Sequence, residues 1–260
     1  MSGLLQTLLI VAALAAGSLA QADTATLIAN AIADPTRPPD QVARDADRKP
    51  AEVVALAGLQ PGARVADFMS GGGYFTRIFS RVVGSSGHVY AFLPNEQLAN
   101  CMPDEVAGTR AIEHNAAFAN VSVLTGPANS FRAPEPLDLV FTSQDYHDLH
   151  DKFMRPTDAA VFNKAVFDAL KPGGTFVVID HAAQPGSGLR DTDTLHRIDP
   201  ASIIQEVQAA GFILEAQSDL LRNPADTHMS MVFDPQIRGH TDQVFLRFRK
   251  PLQQRRLHDE

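Results

Sequence analysis

The sequence predicts an α/β fold built on a doubly wound, mostly parallel sheet of seven strands. The first observation is a short apolar strand, residues 63–68, which runs through Gly71-Gly72-Gly73 into a helix. Apolar side chains recur in that helix with helical spacing, at Phe75, Ile78, Phe79 and Val82. The second is another apolar run, residues 87–92, at the distance of a βαβ unit. The third is the alternation of apolar runs with helical patterns along the rest of the chain.

The segment before the first strand is predicted to be a helical cap, residues 23–62. A short helix over residues 24–33 leads into a turn-rich linker, and Pro50 suits the first turn of a second helix. The main domain is then expected to span residues 63–251, with residues 252–260 as a tail.

Five later apolar runs supply the remaining strands. They are residues 120–125, 137–142, 175–179, 212–216 and 243–249. A helix with one apolar face, residues 161–170, precedes the fifth strand. Asp199 and Pro200 are typical of the cap and first turn of another helix. The stretch 223–241, between the last two strands, is predicted to be a long loop.

The N-terminus has the pattern of a signal peptide, residues 1–22. An apolar run, residues 4–20, precedes the small-x-small cleavage site Ala20-Gln21-Ala22. We therefore expect a periplasmic or secreted protein that has no stable membrane insertion after cleavage. An uncleaved membrane anchor is the alternative, although Gly17 and Ser18 interrupt the run.

Composition indicates one globular domain, and a small-molecule substrate is expected as its partner. The chain has 260 residues, 45% of them hydrophobic, which is enough for one sizeable core. Its formal net charge is −8, and the basic cluster from Arg247 to Arg256 is interpreted as a solvated tail. Nucleic acid is therefore not expected as a partner, since phosphate binding needs clustered Lys and Arg. Cys101 is the only cysteine, so an intrachain disulfide is excluded.

Two motifs resemble those of the class I S-adenosylmethionine-dependent methyltransferases. Asp67-x-x-x-Gly71-x-Gly73-Tyr-Phe-Thr resembles the family's first motif, acidic-x-Gly-x-Gly-x-Gly, with Met69 where the first glycine would be. Residues 169–178, Ala-Leu-Lys-Pro-Gly-Gly-x-Phe-Val-Val, resemble the family's entry to the fifth strand. The resemblance covers residues 50–251, and more closely the chain resembles a bacterial subgroup of predicted methyltransferases carrying signal peptides.

This resemblance implies a Rossmann-like fold that ends in an antiparallel hairpin, with S-adenosylmethionine as cofactor. The cofactor-binding residues that it implies are Asp67, Gly71, Gly72, Gly73, Tyr74, Glu96, Ala128 and Asn129. Glu96 is included because Leu93 stands where the family has an acidic residue for the ribose hydroxyls. Ala128 and Asn129 follow Pro127, which stands where family members often place an acidic residue beside adenine.

Polar residues crowd the ends of the fourth and fifth strands, where doubly wound sheets bind their ligands. The candidate catalytic residues there and nearby are His147, Asp148, His181 and His196. We expect His147 to act as a general base, oriented by Asp148 or Asp180, with the other two histidines shaping the acceptor pocket. Two alternatives remain: the histidines are structural, or they form a metal site with Asp148 or Asp180. No metal ligand is assigned.

Two other classes of function are kept as alternatives. One is an exported ligand-binding protein that has the methyltransferase fold and no catalysis, suggested by the signal peptide and the altered family positions. The other is a metal-dependent hydrolase, against which the sequence lacks a Gly-x-Ser-x-Gly elbow and a His-Glu-x-x-His motif.

Overall fold

A computed structural model describes residues 23–100 and 103–252 of the chain. The expected signal peptide and its cleavage site lie outside the described residues, as do Cys101 and most of the expected tail.

Seven strands form one sheet in the order β3-β2-β1-β4-β5-β7-β6. The strands are β1 (Arg64–Phe68), β2 (His88–Pro94), β3 (Val121–Gly126), β4 (Leu137–Ser143), β5 (Leu170–His181), β6 (Ile213–Ser218) and β7 (Gln243–Arg249). β7 runs antiparallel to both of its neighbours, and the pairs among β1 to β5 are parallel. The predicted fold class, with its antiparallel C-terminal hairpin, is confirmed.

Helices precede the sheet and connect its strands. Residues 23–32 form α1, and the later helices are α2 (Pro39–Val42), α3 (Asp45–Arg48), α4 (Pro50–Ala57), α5 (Tyr74–Val83), α6 (Asn95–Asn100), α7 (Pro103–Glu113), α8 (Ala159–Ala169), α9 (Thr192–Leu195) and α10 (Pro200–Ala209). Short 3₁₀ turns cover Ala116–Phe118, Ala128–Ser130, His147–His150 and Lys152–Met154. Asp199 caps α10 as predicted, because its carboxylate accepts the Ala201 N–H at 3.0 Å.

Two hydrophobic clusters cover the two faces of the sheet. On one face, Phe68 of β1 packs against Phe162 of α8, with ring centroids 4.4 Å apart. On the other, Phe141 of β4 packs against Phe75 of α5 at 4.7 Å. Because both faces are buried, the central parallel strands are mostly apolar, and this explains the apolar runs in the sequence.

Two helices, α6 and α7, lie where the sequence showed no helical pattern. No helix was predicted between the second and third strands, whereas α6 begins directly after β2. In α7 the buried face includes Thr109 as well as Val106 and Ile112, which weakens the apolar periodicity. Gly108 of α7 lies so close to the Gly72 carbonyl that a Cβ there would be 2.5 Å from its oxygen. Tertiary contact with the glycine turn therefore positions this helix.

No helix in the described part of the chain is long and apolar enough to cross a membrane.

Candidate functional site

A cavity of about 780 Å³ lies beyond the carboxyl ends of the central strands. The glycine turn after β1 and part of α6 after β2 line one side, since these strands are neighbours. The segment after β4 and His181 of β5 line the other side. The cap contributes Arg44 and Arg48, and the loop before β7 contributes Val232 and Phe233. This is the position at which doubly wound sheets bind ligands.

Two glycines of the turn, Gly71 and Gly73, share a positive φ angle but differ in what surrounds them. Met69, Gly71 and Gly73 all have positive φ angles, of 56°, 51° and 76°. Gly71 lines the cavity, and a Cβ there would meet no described atom within 4 Å. At Gly73, by contrast, a Cβ would clash with Ile112 of α7. Gly71 therefore keeps space open for a ligand, whereas Gly73 permits helix packing.

Hydrogen bonds from three elements hold the carbonyls of the turn. Gln41 of α2 and Arg77 of α5 donate to the Gly72 carbonyl at 2.9 and 2.7 Å. Thr109 of α7 donates to the Gly71 carbonyl at 2.7 Å. The shape of the turn is thus fixed by the surrounding protein.

Asp67 and Tyr74, the acidic and aromatic residues of the first motif, are engaged by the protein itself. Asp67 is buried, does not line the cavity and accepts a hydrogen bond from Thr76 at 2.5 Å. Burial raises its pKa to about 7. Tyr74 lines the cavity and donates to Asp45 at 2.6 Å, while the guanidinium of Arg48 lies 4.5 Å from its ring centre. That cation already covers a face of the ring.

The other three candidate cofactor residues bond to the protein rather than lining the cavity. Glu96 accepts the Ala128 N–H at 3.1 Å. Asn129 donates to the Pro156 carbonyl at 3.1 Å and accepts the Asp158 N–H at 2.8 Å. These contacts join α6 and the start of α8 to the segment after β3.

Gln97 was not singled out in the sequence, and it does line the cavity. Its side chain is buried, and its Oε1 atom has no hydrogen-bond partner among the described residues. Glu96 and Gln97 point to different surroundings because successive residues of a helix lie about 100° apart. Gln97 could therefore have been found from the sequence only if α6 had been recognised as a helix.

His147 and Asp180 form a buried pair where β4 and β5 end. These parallel neighbours pair Ser143 with Ile179, so the residues that follow them meet at one edge. His147 Nδ1 lies 2.8 Å from Asp180 Oδ1, and the His147 backbone N–H donates to Asp180 Oδ2 at 2.7 Å. His147 Nε2 lies 3.2 Å from His196 Nδ1 and 3.1 Å from Asp148 Oδ1. The structure therefore brings three predicted catalytic residues together.

Two histidines of the site have opposite pKa shifts. Burial opposes the charge on His147, but Asp180 and Asp148 outweigh it and hold its pKa well above 6.5. Burial, together with the charge of His147, lowers the pKa of His181 well below 6.5. His181 lines the cavity, and its Nδ1 is bonded to Thr241 Oγ1 at 2.6 Å. Near neutral pH His147 is therefore cationic, whereas His181 is neutral.

Asp151 is a further acidic residue of the cluster that the sequence reading did not include. Its side chain is 1% exposed, and its Oδ2 lies 3.7 Å from His196 Nδ1. Burial and the charge of Asp148 raise its pKa to about 6. The signal was its spacing from Asp148, because residues three apart lie on the same side of a 3₁₀ turn.

Curated relatives of the chain are C-methyltransferases. The protein named ubiquinone/menaquinone biosynthesis C-methyltransferase UbiE from Vibrio cholerae is 29% identical over 198 residues, which is 75% of this chain and 64% of the relative. Its namesake from Vibrio campbellii is 27% identical over 194 residues, 74% of this chain and 64% of the relative. The chain thus spans somewhat less than two thirds of these relatives. No protein-family model matches it.

Solved structures share the fold at low sequence identity. An S-adenosylmethionine-dependent methyltransferase from Mesorhizobium loti has a TM-score of 0.55 at 18% identity, covering 79% of this chain and 99% of its own. One from Aquifex aeolicus has a TM-score of 0.53 at 17% identity, covering 76% and 88%. The [4+2]-cyclase SpnF has a TM-score of 0.59 at 16% identity, covering 80% and 82%.

The strand order, the glycine turn and these relatives agree. The chain has the fold of the class I S-adenosylmethionine-dependent methyltransferases and is similar in sequence to proteins named as C-methyltransferases.

Proposed function

We propose that this protein is an S-adenosylmethionine-dependent methyltransferase acting on a small-molecule acceptor. The observation that carries the proposal is the single cavity that joins the glycine turn to the histidine cluster. Its volume of about 780 Å³ suits small ligands, and the net charge of −8 does not favour a nucleic acid. The relatives named C-methyltransferase support methyl transfer.

The residues on the β1 and β2 side fit the cofactor. S-adenosylmethionine, when bound, would supply the methyl group of its sulfonium to an acceptor that attacks in line, with S-adenosylhomocysteine as the leaving group. Gly71 leaves the backbone open at the N-terminal end of α5, where unpaired N–H groups favour polar and anionic ligand groups. Gln97 Oε1 is a buried acceptor without a donor, which suits a hydroxyl such as those of ribose.

The residues on the β4 and β5 side suit an acceptor that carries an exchangeable proton. His147 was the base expected from the sequence, but its Nε2 faces His196 and Asp148 and its pKa is raised. His181 is neutral near pH 7, and with Nδ1 donating to Thr241, its Nε2 carries the lone pair. We therefore assign proton removal to His181 Nε2, while the His147–Asp180 pair and His196 shape the pocket.

Calorimetric titration with S-adenosylmethionine tests the cofactor half of the proposal. The wild-type protein should bind it, and Gln97→Ala should weaken binding by roughly tenfold, since one hydrogen bond is lost. Gln208→Ala, an exposed glutamine outside the cavity, is the matched control. Absence of binding by the wild type at millimolar ligand would overturn the proposal.

Formation of S-adenosylhomocysteine from candidate acceptors tests catalysis separately. Cofactor binding without turnover for any acceptor would favour the ligand-binding alternative, since a shared fold does not establish a reaction. The neighbour named as a [4+2]-cyclase illustrates this limit.

We also propose export, with cleavage after Ala22. The apolar run before Ala20-Gln21-Ala22 supports it. Intact-mass measurement on protein from the cell envelope should give a chain that starts at Asp23, and a mass that includes residues 1–22 would contradict cleavage.

A further inference from the structure

Four side chains at the edge of the cavity, three of which line it, direct potential metal-ligand atoms at one point. These atoms belong to His147, Asp148, Asp151 and His196, and all lie within 4.8 Å of one another. His147 Nε2 is 3.2 Å from His196 Nδ1 and 3.1 Å from Asp148 Oδ1. His196 Nδ1 is 3.5 Å from Asp148 Oδ1 and 3.7 Å from Asp151 Oδ2. Tetrahedral ligands held at about 2.1 Å from an ion are about 3.4 Å apart, which these separations bracket.

Unpartnered carboxylate oxygens provide an independent observation. Both oxygens of Asp151 are buried without a hydrogen-bond donor in residues 23–100 and 103–252, and Oδ1 of Asp148 is paired only with the two histidines of the cluster. The hydroxyl of Thr192 is near Asp151 but donates to the Leu189 carbonyl at 3.3 Å. Buried carboxylates are normally hydrogen-bonded, paired or bound to a metal. A bound cation would satisfy these oxygens.

Local backbone structure holds the four groups in place. The 3₁₀ turn His147–His150 begins with two of them, and Asp151 follows directly as its C-terminal cap. His196 is the C-terminal cap of α9, with φ of 52°. Its ring also packs against Phe233, with centroids 4.9 Å apart. The groups thus sit on two short helical turns, and the position of each is determined by the fold.

Asp180 completes the pattern that metal-binding histidines show in proteins. Its carboxylate is fully buried and accepts the His147 Nδ1–H at 2.8 Å, so Nε2 faces the other three groups and can bind an ion once its proton is released. Such a carboxylate–histidine pair fixes the ring orientation and the tautomer needed to bind an ion.

We propose that His147, Asp148, Asp151 and His196 bind a divalent first-row transition-metal ion, with Zn²⁺ the best fit. Two imidazole nitrogens and two carboxylate oxygens are a common donor set for Zn²⁺ and less suited to Mg²⁺ or Ca²⁺, which prefer oxygen ligands. This inference goes beyond the proposed methyl transfer and does not depend on it. Three of the four ligands line the cavity, so the ion would be accessible to an acceptor.

Zn²⁺ titration of tag-free protein, freed of metal by chelator dialysis, tests the site. The wild type should bind one equivalent per chain, measured by competition with a chromophoric chelator and by elemental analysis after gel filtration. Asp151→Asn, which keeps the side-chain shape, should weaken Zn²⁺ binding by at least tenfold. Asp180→Asn should weaken it by roughly 10–100-fold through the orientation of His147.

Asp193→Asn is the matched control, because it removes a nearby carboxylate that pairs with Lys152 outside the cluster. It should bind Zn²⁺ as the wild type does. Zn²⁺ should also raise the Tm of the wild type and the control but not of Asp151→Asn. Circular dichroism and S-adenosylmethionine titration of the same samples establish that each variant is folded and separate loss of the metal from loss of the cofactor.

Absence of stoichiometric Zn²⁺ in the wild type, or equal affinity in wild type and Asp151→Asn, would overturn the proposal. Either result would mean that the cluster is held by the imidazolium of His147 alone.

Discussion

The carboxyl group of Asp67 has a pKa that the fold itself perturbs. Its folded-state pKa is raised from 3.8 to about 7, so the folded protein binds a proton that the unfolded chain releases between these values. The contribution of Asp67 to the free energy of unfolding therefore falls as pH rises from about 4 to about 7. Asp67→Asn removes this dependence while its Oδ1 still accepts the hydrogen bond from Thr76.

We expect Asp67→Asn to gain stability relative to wild type as pH rises. Urea unfolding at pH 5 and pH 8 measures the difference, which should be more favourable to the variant at pH 8. Asp219→Asn, at an exposed position, makes the same change of charge and should show no such trend. An equal difference at the two pH values would show that Asp67 is ionised throughout.

His181 is the residue to which we assign proton removal. His181→Ala should lower turnover by roughly 10²–10⁴-fold, the usual contribution of a general base, and leave cofactor affinity nearly unchanged. Single-turnover formation of S-adenosylhomocysteine with any acceptor that reacts gives the rate. His114→Ala, at an exposed histidine, is the control. Full activity in His181→Ala would reject the assignment.

At the scale of one element, the glycine turn makes it possible to distinguish two effects of an added methyl group: backbone strain and occupation of the space for a ligand. Gly71 and Gly84 both have positive φ, 51° and 67°, and a Cβ at either position would meet no described atom within 4 Å. Gly71 lines the cavity, whereas Gly84 is the C-terminal cap of α5. Alanine should lower the free energy of unfolding through backbone strain, by about 1 kcal/mol at Gly71 and by more at Gly84, where ψ is −170° and essentially only glycine is accommodated.

Gly71→Ala should weaken S-adenosylmethionine binding, because the added methyl group enters the cavity, and Gly84→Ala should not. Calorimetric titration of both variants gives the comparison. Similar affinities in the two would place the cofactor away from the turn. Gly73→Val is a poorer test, since a side chain at Gly73 clashes with Ile112 and disturbs packing as well.

For the whole molecule, apolar patterning was sufficient to predict the sheet, because burial of both faces leaves a strong signal. β7 was predicted at residues 243–249, where it lies. β5 is longer than predicted, since it begins at Leu170, which pairs with Leu137 of β4 before an irregularity in the register that ends at Thr175. Where tertiary contacts rather than periodicity hold an element, as in α7, sequence patterning gave no helix.

The candidate site was predictable where it depends on topology and not where it depends on side-chain direction. His147 and Asp180 meet because parallel strands end at one edge, which the strand order implies. The rotation of α6 about its axis decides that Gln97, rather than Glu96, faces the cavity. The oxygens of Asp151 lack hydrogen-bond donors because of where every neighbouring side chain points, and the sequence does not reveal those directions.

The N-terminal cap contacts both sides of the cavity. Gln41 donates to the Gly72 carbonyl, and Arg48 donates to Ser143 and Gln144 at 3.2 Å. If the cofactor occupies the space between these contacts, docking of the cap and binding of the cofactor are linked equilibria, and each must favour the other by the same free energy. Saturating S-adenosylmethionine should then slow amide hydrogen exchange in residues 39–48 more than in β6, at the far edge of the sheet. The cap would thus open less often when the cavity is occupied than when it is empty.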